Sequence, residues 1–155
     1  MASAYPRGHG TLARMPTRPP VHTKPIEIRW RDMDGFNHVN NNAYLTYTEE
    51  ARDELFTGLL GADTTGRIVI RRSELDFLSG LTQADDTALV DIWVVKLGSS
   101  SIVTEEAIRS GTDDRVAFRA RTITVYTNEA RDAAAPLPGH VRDLLLPLLD
   151  EEPAG

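Results

Sequence analysis

In the run Ile26-Glu-Ile-Arg-Trp30-Arg-Asp32-Met-Asp34-Gly-Phe-Asn37-His38-Val-Asn40-Asn41-Asn42-Ala43-Tyr44, a strand gives way to a loop and the loop to a helix. Ile26 to Trp30 alternates apolar and polar residues, as a half-buried strand does. Asn40 is a good N-cap, and a helix is expected from there to about Leu60. Ala43, Tyr44, Tyr47, Ala51 and Leu55 recur at three- and four-residue spacing and form its apolar face. Thr46, Glu50, Asp53 and Thr57 lie opposite, and Gly58 and Gly61 loosen its end. Between strand and helix sit two carboxylates, an imidazole, a glycine and a series of carboxamides. A helix start offers unpaired N–H groups and a partial positive charge. A carboxylate held beside such donors suits chemistry on a carbonyl group.

Outward from this run the pattern becomes β. Arg67 to Leu78, Thr87 to Leu97, Ser101 to Ser110 and Arg115 to Tyr126 are rich in β-branched residues and punctuated by Gly66, Gly80, Gly98 and Gly111. The short gaps between the last three predict antiparallel hairpins. A brief helix is expected over Val141 to Leu146, stopped or bent by Pro147. Strand, long helix and four strands read as α+β: a five-stranded antiparallel sheet with one central helix. One helix covers one face of such a sheet, so the other face or an edge calls for a homodimer or larger assembly.

The 155 residues suffice for one domain with a real core. Residues 1–24 read as a flexible N-terminal tail, 25–150 as the single domain, and 151–155 as a C-terminal tail. Five prolines fall within the first 25 residues, as do Arg7, Arg14, Arg18 and Lys24 without any acid. Against a net charge of −6, the remainder is therefore strongly acidic. Such a surface is poorly suited to nucleic acid, whose binding depends on neutralising phosphates. No apolar run is long enough for a membrane span. The absence of cysteine excludes disulfides and thiol nucleophiles, and fits a reducing cytoplasm. Four scattered histidines make no metal-ligand pattern, so no metal is expected.

Trp30-Arg-Asp-Met-Asp34 and His38-Val-Asn-Asn-Asn-Ala-Tyr44, with this element order, resemble the hotdog-fold acyl-CoA thioesterases. The 4-hydroxybenzoyl-CoA thioesterase type, related to the plant acyl-ACP thioesterases, is the branch they resemble most. The similarity spans about residues 25 to 146 and extends to Arg72-Ser-Glu-Leu-Asp-Phe-Leu78, Lys96-Leu-Gly-Ser-Ser100 and Leu137-Pro-Gly-His-Val-Arg142. The resemblance implies a sheet wrapped around the helix, a catalytic carboxylate at Asp34, and a backbone N–H at Asn41 that polarises the thioester carbonyl. It also implies an acyl-CoA substrate, with coenzyme A entering as part of that substrate and no separate cofactor, and a site between subunits of a homodimer or homotetramer. The plant enzymes place Asn two residues after the Asp and His four after it. Here Phe36 takes the first position, Asn37 follows, and His38 keeps its spacing.

Each candidate has a plain structural alternative. Asp34 before Gly35 can cap a loop through backbone N–H groups, although the surrounding motif favours catalysis. Asp32 reads as support, paired with Arg29 or Arg31. His38 is either a satisfied loop histidine or a donor to the substrate carbonyl. Glu49 and Glu50 read first as a solvated helix face, with Arg52 one turn on, and second as an alternative catalytic acid. Arg71 and Arg72, on opposite faces of a strand, are candidates for coenzyme A phosphates, with solvent or a salt bridge as the alternative. Ser100 lies in a Ser99 to Ser101 turn that offers a further cofactor contact. The leading function is hydrolysis of an acyl thioester to an acid and a free thiol. Its rivals are a hotdog enoyl-CoA hydratase, whose Asn-Pro between Asp and His is missing here, and a non-catalytic acyl-CoA-binding module.

Overall fold

The computed structural model describes Leu12 and residues 15–149. β1 (His22–Glu27) leads through a 3-10 turn at Trp30–Asp32 into the loop and then α1 (Asn41–Leu60). A short α2 (Ala62–Thr65) precedes β2 (Ile68–Phe77), β3 (Thr87–Leu97), β4 (Ser101–Ser110), β5 (Val116–Tyr126) and α3 (Gly139–Leu145). The strands form one antiparallel sheet in the order β1-β3-β4-β5-β2. The α+β architecture expected from the sequence is the one observed. α3 ends at Leu145, and Pro147 sits in a following 3-10 turn, as a residue without an N–H requires.

α1 lies against one face of the sheet. Tyr44, Tyr47, Ala51, Leu55 and Phe56 from the helix join Val90, Ile92, Ile102, Ile108 and Phe118 in the main core. Its first turn is anchored by an aromatic trio: the Tyr44 and Phe118 rings stack at 5.4 Å, and Phe77 meets both edge-on at 5.6 and 5.2 Å. The helix also buries Thr48 and Arg52, so its covered face is wider than the apolar pattern alone suggests.

The opposite face carries a smaller cluster of Trp93, Val95, Val103 and Ala107, with Met15 packed against it. The chain just before β1 crosses this face. Trp93 Nε1 donates to the Arg18 carbonyl (2.8 Å), and the Val21 N–H donates to the Ile92 carbonyl (2.8 Å). The ordered domain thus begins before residue 25, because an indole N–H and an exposed apolar strip on β3 both find partners there. Residues 1–11, 13, 14 and 150–155, including the whole C-terminal tail segment, lie outside the described residues.

β2 is an edge strand with a β-bulge. Ile70 pairs with Thr124 and Arg72 with Ile123, leaving Arg71 as the extra residue. The bulge resets the alternation. Ser73, Leu75 and Phe77, opposite Thr122, Ala120 and Phe118, therefore face the helix. Arg72 and Glu74 share the other face, where Arg72 Nη2 meets Glu74 Oε1 at 2.6 Å. The simple opposition of Arg71 and Arg72 expected from strand alternation fails across that extra residue.

Candidate active site

The loop before α1 is a miniature hairpin. Met33 and Val39 form an antiparallel bridge, and the Asp34 N–H donates to the His38 carbonyl at 2.7 Å. Gly35, Phe36 and Asn37 make the tip, where Asn37 adopts φ 63°, a left-handed conformation that Asn tolerates better than most residues. Phe36 projects outward, 83% exposed, as does Trp30 at 79%. Closure of the hairpin sets Asp34 and His38 side by side, directly before the helix start.

Asp34 is held on one side only. Its Oδ1 accepts the Phe36 N–H (2.8 Å) and the His38 N–H (3.1 Å). Its Oδ2 has no hydrogen bond among the described residues. The capping role and an available oxygen thus coexist in one carboxylate: the first fixes the orientation of the second. Asn40 caps α1, its Oδ1 accepting the Asn42 N–H at 2.9 Å, and its carbonyl takes the Ala43 N–H. Immediately before those two satisfied donors, the Asn41 N–H has no acceptor among the described residues. It is the unspent donor of the first turn, at the positive end of a 20-residue helix.

Asp32 lies in the 3-10 turn, five residues beyond β1, and its partners are not arginine side chains. Its Oδ2 accepts the Tyr47 hydroxyl (2.7 Å) and the Arg29 N–H (3.0 Å). Burial, reinforced by that hydrogen bond to a carboxylate, pushes the Tyr47 phenol well above its usual range. The Asn40 N–H also donates to the Asp32 carbonyl at 2.7 Å, tying the beginning of the loop to the helix cap.

The segment after β2 forms the floor, and sequence reasoning missed it. The Val39 N–H donates to the Leu81 carbonyl (2.7 Å), and the Leu81 N–H donates to the Tyr44 hydroxyl (2.9 Å). Gly80 lies under the His38 ring so closely that a Cβ there would sit 3.1 Å from His38 Cδ2. The segment is clamped from behind. Asp85 accepts the Ser110 hydroxyl (2.7 Å), the Thr82 N–H (2.8 Å) and Arg115 Nη2 (3.1 Å), while Arg115 Nη2 also reaches the Gly80 carbonyl. Burial works to raise the Asp85 carboxyl, but the Ser110, Thr82 and Arg115 donors outweigh it and hold the group below its ordinary range. Gly80 was visible in sequence only as strand punctuation, since nothing local connects it to His38.

The other candidates are dispersed. Glu49 lines a cavity between α1 and β2, whereas Glu50 faces an outer groove with Lys24 and Asp53. Arg71 is exposed at the bulge, and Arg72 is paired with Glu74. The Ser100 carbonyl accepts the Tyr126 N–H at 2.8 Å, and Tyr126 pairs with Ile68 at the start of β2. The Asp34 loop adjoins the far end of that 10-residue strand. Ser100 and Asp34 within one chain are thus separated by about 30 Å, at ~3.3 Å per strand residue. Arg52, which the sequence offered as a partner for Thr48 or Glu49, is instead buried and ion-paired with Glu106, Nη1 to Oε1 3.0 Å. Its place four residues after Thr48 on the covered face was the signal available.

The chain matches the Thioesterase-like superfamily over residues 28–145. No curated protein sequence matches it. A thioesterase from Thermus thermophilus, whose structure holds coenzyme A and Zn, is 27% identical. It superposes with a TM-score of 0.76 over 85% of this chain and 96% of its own. A putative thioesterase from Pseudomonas aeruginosa is 29% identical, with a TM-score of 0.71 over 80% of this chain and 97% of its own. A 1,4-dihydroxy-2-naphthoyl-CoA thioesterase from Synechocystis shares the fold at 20% identity and a TM-score of 0.71, over 82% of this chain and 96% of its own. The sheet wrapped on one long helix, the loop at its N-terminus and the sequence match together make this chain a member of the thioesterase-like superfamily, a hotdog-fold thioester hydrolase.

Proposed function

We propose that the chain hydrolyses acyl-CoA thioesters to a carboxylic acid and free coenzyme A, with Asp34 and the Asn41 N–H as its central groups. The observation that carries this reading is a one-sidedly anchored carboxylate in the loop that runs into a helix whose first N–H is unspent. The thioester oxygen would lie on the Asn41 N–H, where charge developing on it meets a fixed donor and the helix dipole. One such donor contributes on the order of 3 kcal/mol to the transition state. Asp34 Oδ2 either takes a proton from the attacking water or adds to the carbonyl itself, breaking the C–S bond to expel the coenzyme A thiolate and giving a mixed anhydride that water then opens. His38, held over Gly80 at the same hairpin, is placed to contact the substrate or to steady Asp34.

We further propose a homodimer that completes the site. β2 is an unpaired edge within one chain and exposes Val69, Ile70 and Leu78. Arg71, Arg72 and Ser100 are then the candidates for coenzyme A contacts across the assembly, Arg71 being the better placed of the arginines because no carboxylate occupies it among the described residues.

Asp34→Asn tests the assignment. It keeps the size and acceptor capacity of the cap but removes the base and nucleophile. Thiol release from a good acyl-CoA should fall by about 10²–10⁴-fold or more, with the circular dichroism spectrum unchanged. Near-normal turnover by a folded Asp34→Asn protein would refute the role of Asp34.

A further inference from the structure

Asn41, Leu45, Thr48 and Arg52 lie three or four residues apart, forming one continuous stripe down α1 from the proposed oxyanion donor. Against that stripe, toward β2 and β5, is a cavity of 270 Å³. A dry cavity of about 150 Å³ holds benzene, so this one admits a substantial acyl group. Its lining changes in layers with distance from Asn41. The sheet register sets Leu75 beside Ala120, then Ser73 beside Thr122, then Ile70 beside Thr124. On the helix the sequence is Leu45, then Thr48, then Arg52. The near layer is apolar, the middle layer carries hydroxyls, and the far layer presents a guanidinium.

Arg52 does not spend all its donors on its partner. Nη1 binds Glu106 Oε1 at 3.0 Å, and the Thr104 and Thr122 hydroxyls fill the rest of that carboxylate at 2.6 and 3.0 Å. A guanidinium has five N–H donors. The Arg52 side chain is only 8% exposed, yet it lines this cavity and a second, smaller one beside it. No further acceptor for it occurs among the described residues. An almost buried cation with unspent donors, at the end of an apolar entry, is built to read an oxygen.

We propose that this cavity holds the acyl group and selects acyl chains bearing a hydroxyl at the far end, read by Arg52 and the Ser73–Thr122 pair. The inference rests on the acyl-CoA hydrolase reading. Helix rise puts Thr48 about 10 Å beyond Asn41, and helical side chains lean back toward the N-terminus, so the hydroxyl belongs at about that distance from the thioester carbonyl. A terminal carboxylate is the poorer match, because Glu106 lies beneath Arg52 and Glu49 lines the same cavity.

The test is kcat/KM of the full chain, scored by free thiol, on straight acyl-CoAs from butyryl to decanoyl, each unsubstituted, terminally hydroxylated and terminally carboxylated. At the best length the hydroxylated form should be favoured over the unsubstituted one by about 10- to 100-fold, the range for a hydrogen bond to a charged group. Arg52→Lys keeps the charge for Glu106 but loses the planar fork, and should bring that ratio toward one. Hydrolysis of unsubstituted chains as fast as hydroxylated ones at every length, or preference for the carboxylated series, would overturn this inference and leave the hydrolase reading intact. Absence of thiol release from every member would overturn both. The wild-type ratios decide the matter even if Arg52→Lys folds poorly.

Discussion

Replacing Glu106 with Leu is the most searching perturbation of this core. Glu106 sits on β4, its side chain wholly buried, and accepts from Arg52, Thr104 and Thr122. Glu106→Leu preserves approximate volume and removes the acceptor from all three. The Arg52 charge then loses its carboxylate while its side chain is only 8% exposed. Breaking a buried pair from one side costs about 3–5 kcal/mol, whereas replacing both partners with apolar residues is often close to neutral. A domain of this size has only about 5–15 kcal/mol in total, so the single variant should be close to unfolding at moderate temperature. In urea, with a slope of about 2 kcal/mol/M, the midpoint should fall by roughly 1.5–2.5 M. Arg52→Met combined with Glu106→Leu should recover most of that loss, giving a large coupling in the double-mutant cycle. All variants need the same protein concentration, since a dimer's stability depends on it. A Glu106→Leu loss below about 1 kcal/mol, or a double variant less stable than either single one, would refute the reasoning.

Gly80→Ala introduces a Cβ 3.1 Å from the His38 ring, against a segment clamped by Arg115 and Asp85. We expect the His38 ring to shift by a few tenths of an ångström and kcat/KM for acyl-CoA to fall, by less than the ~10² that a misplacement of about 1 Å costs; unchanged kinetics would show that the His38 position does not matter. Asp85 supplies a pH signature. Its folded carboxyl titrates below its ordinary value, so its contribution to stability is complete above the unfolded pKa of about 3.9 and disappears as pH falls through the lower folded value. Asp85→Asn should therefore be less stable than the wild type at neutral pH, with the gap in urea midpoints narrowing on acidification below about pH 4. A gap that stays constant or widens in acid would contradict the assignment.

Much of the fold and the position of Asp34 ahead of the helix start were legible in the sequence because they are local. The helix from Asn41 to Leu60 follows from a cap and an apolar period, and the hairpins of β3, β4 and β5 from short turns between β-branched runs. Asp34 and Asn41 stand out because a carboxylate and a helix start lie within one short loop. The supporting reading of Asp32 rests on a strand expected to reach Trp30, whereas β1 ends at Glu27 and Asp32 lies in the following 3-10 turn, where Tyr47, on the helix that follows, supplies the side-chain hydrogen bond.

Other features arise only when distant segments meet. Gly80 matters because the chain leaving β2 returns beneath His38, and no spacing along the chain encodes that approach. Arg52 is a buried cation because Glu106, 54 residues away, is brought under it by the sheet register. The bulge at Arg71 turns Ser73, Leu75 and Phe77 toward the helix, and with them the cavity wall, through one unpaired residue that alternation cannot foresee. The sequence by itself determined the helix from Asn41 to Leu60, the β3–β5 hairpins and which carboxylates precede the helix, since these depend on side chains within a few residues of one another. Tertiary structure alone decided what surrounds that carboxylate and what the neighbouring cavity can recognise, since those depend on pairing across the sheet and on which charges are removed from water together.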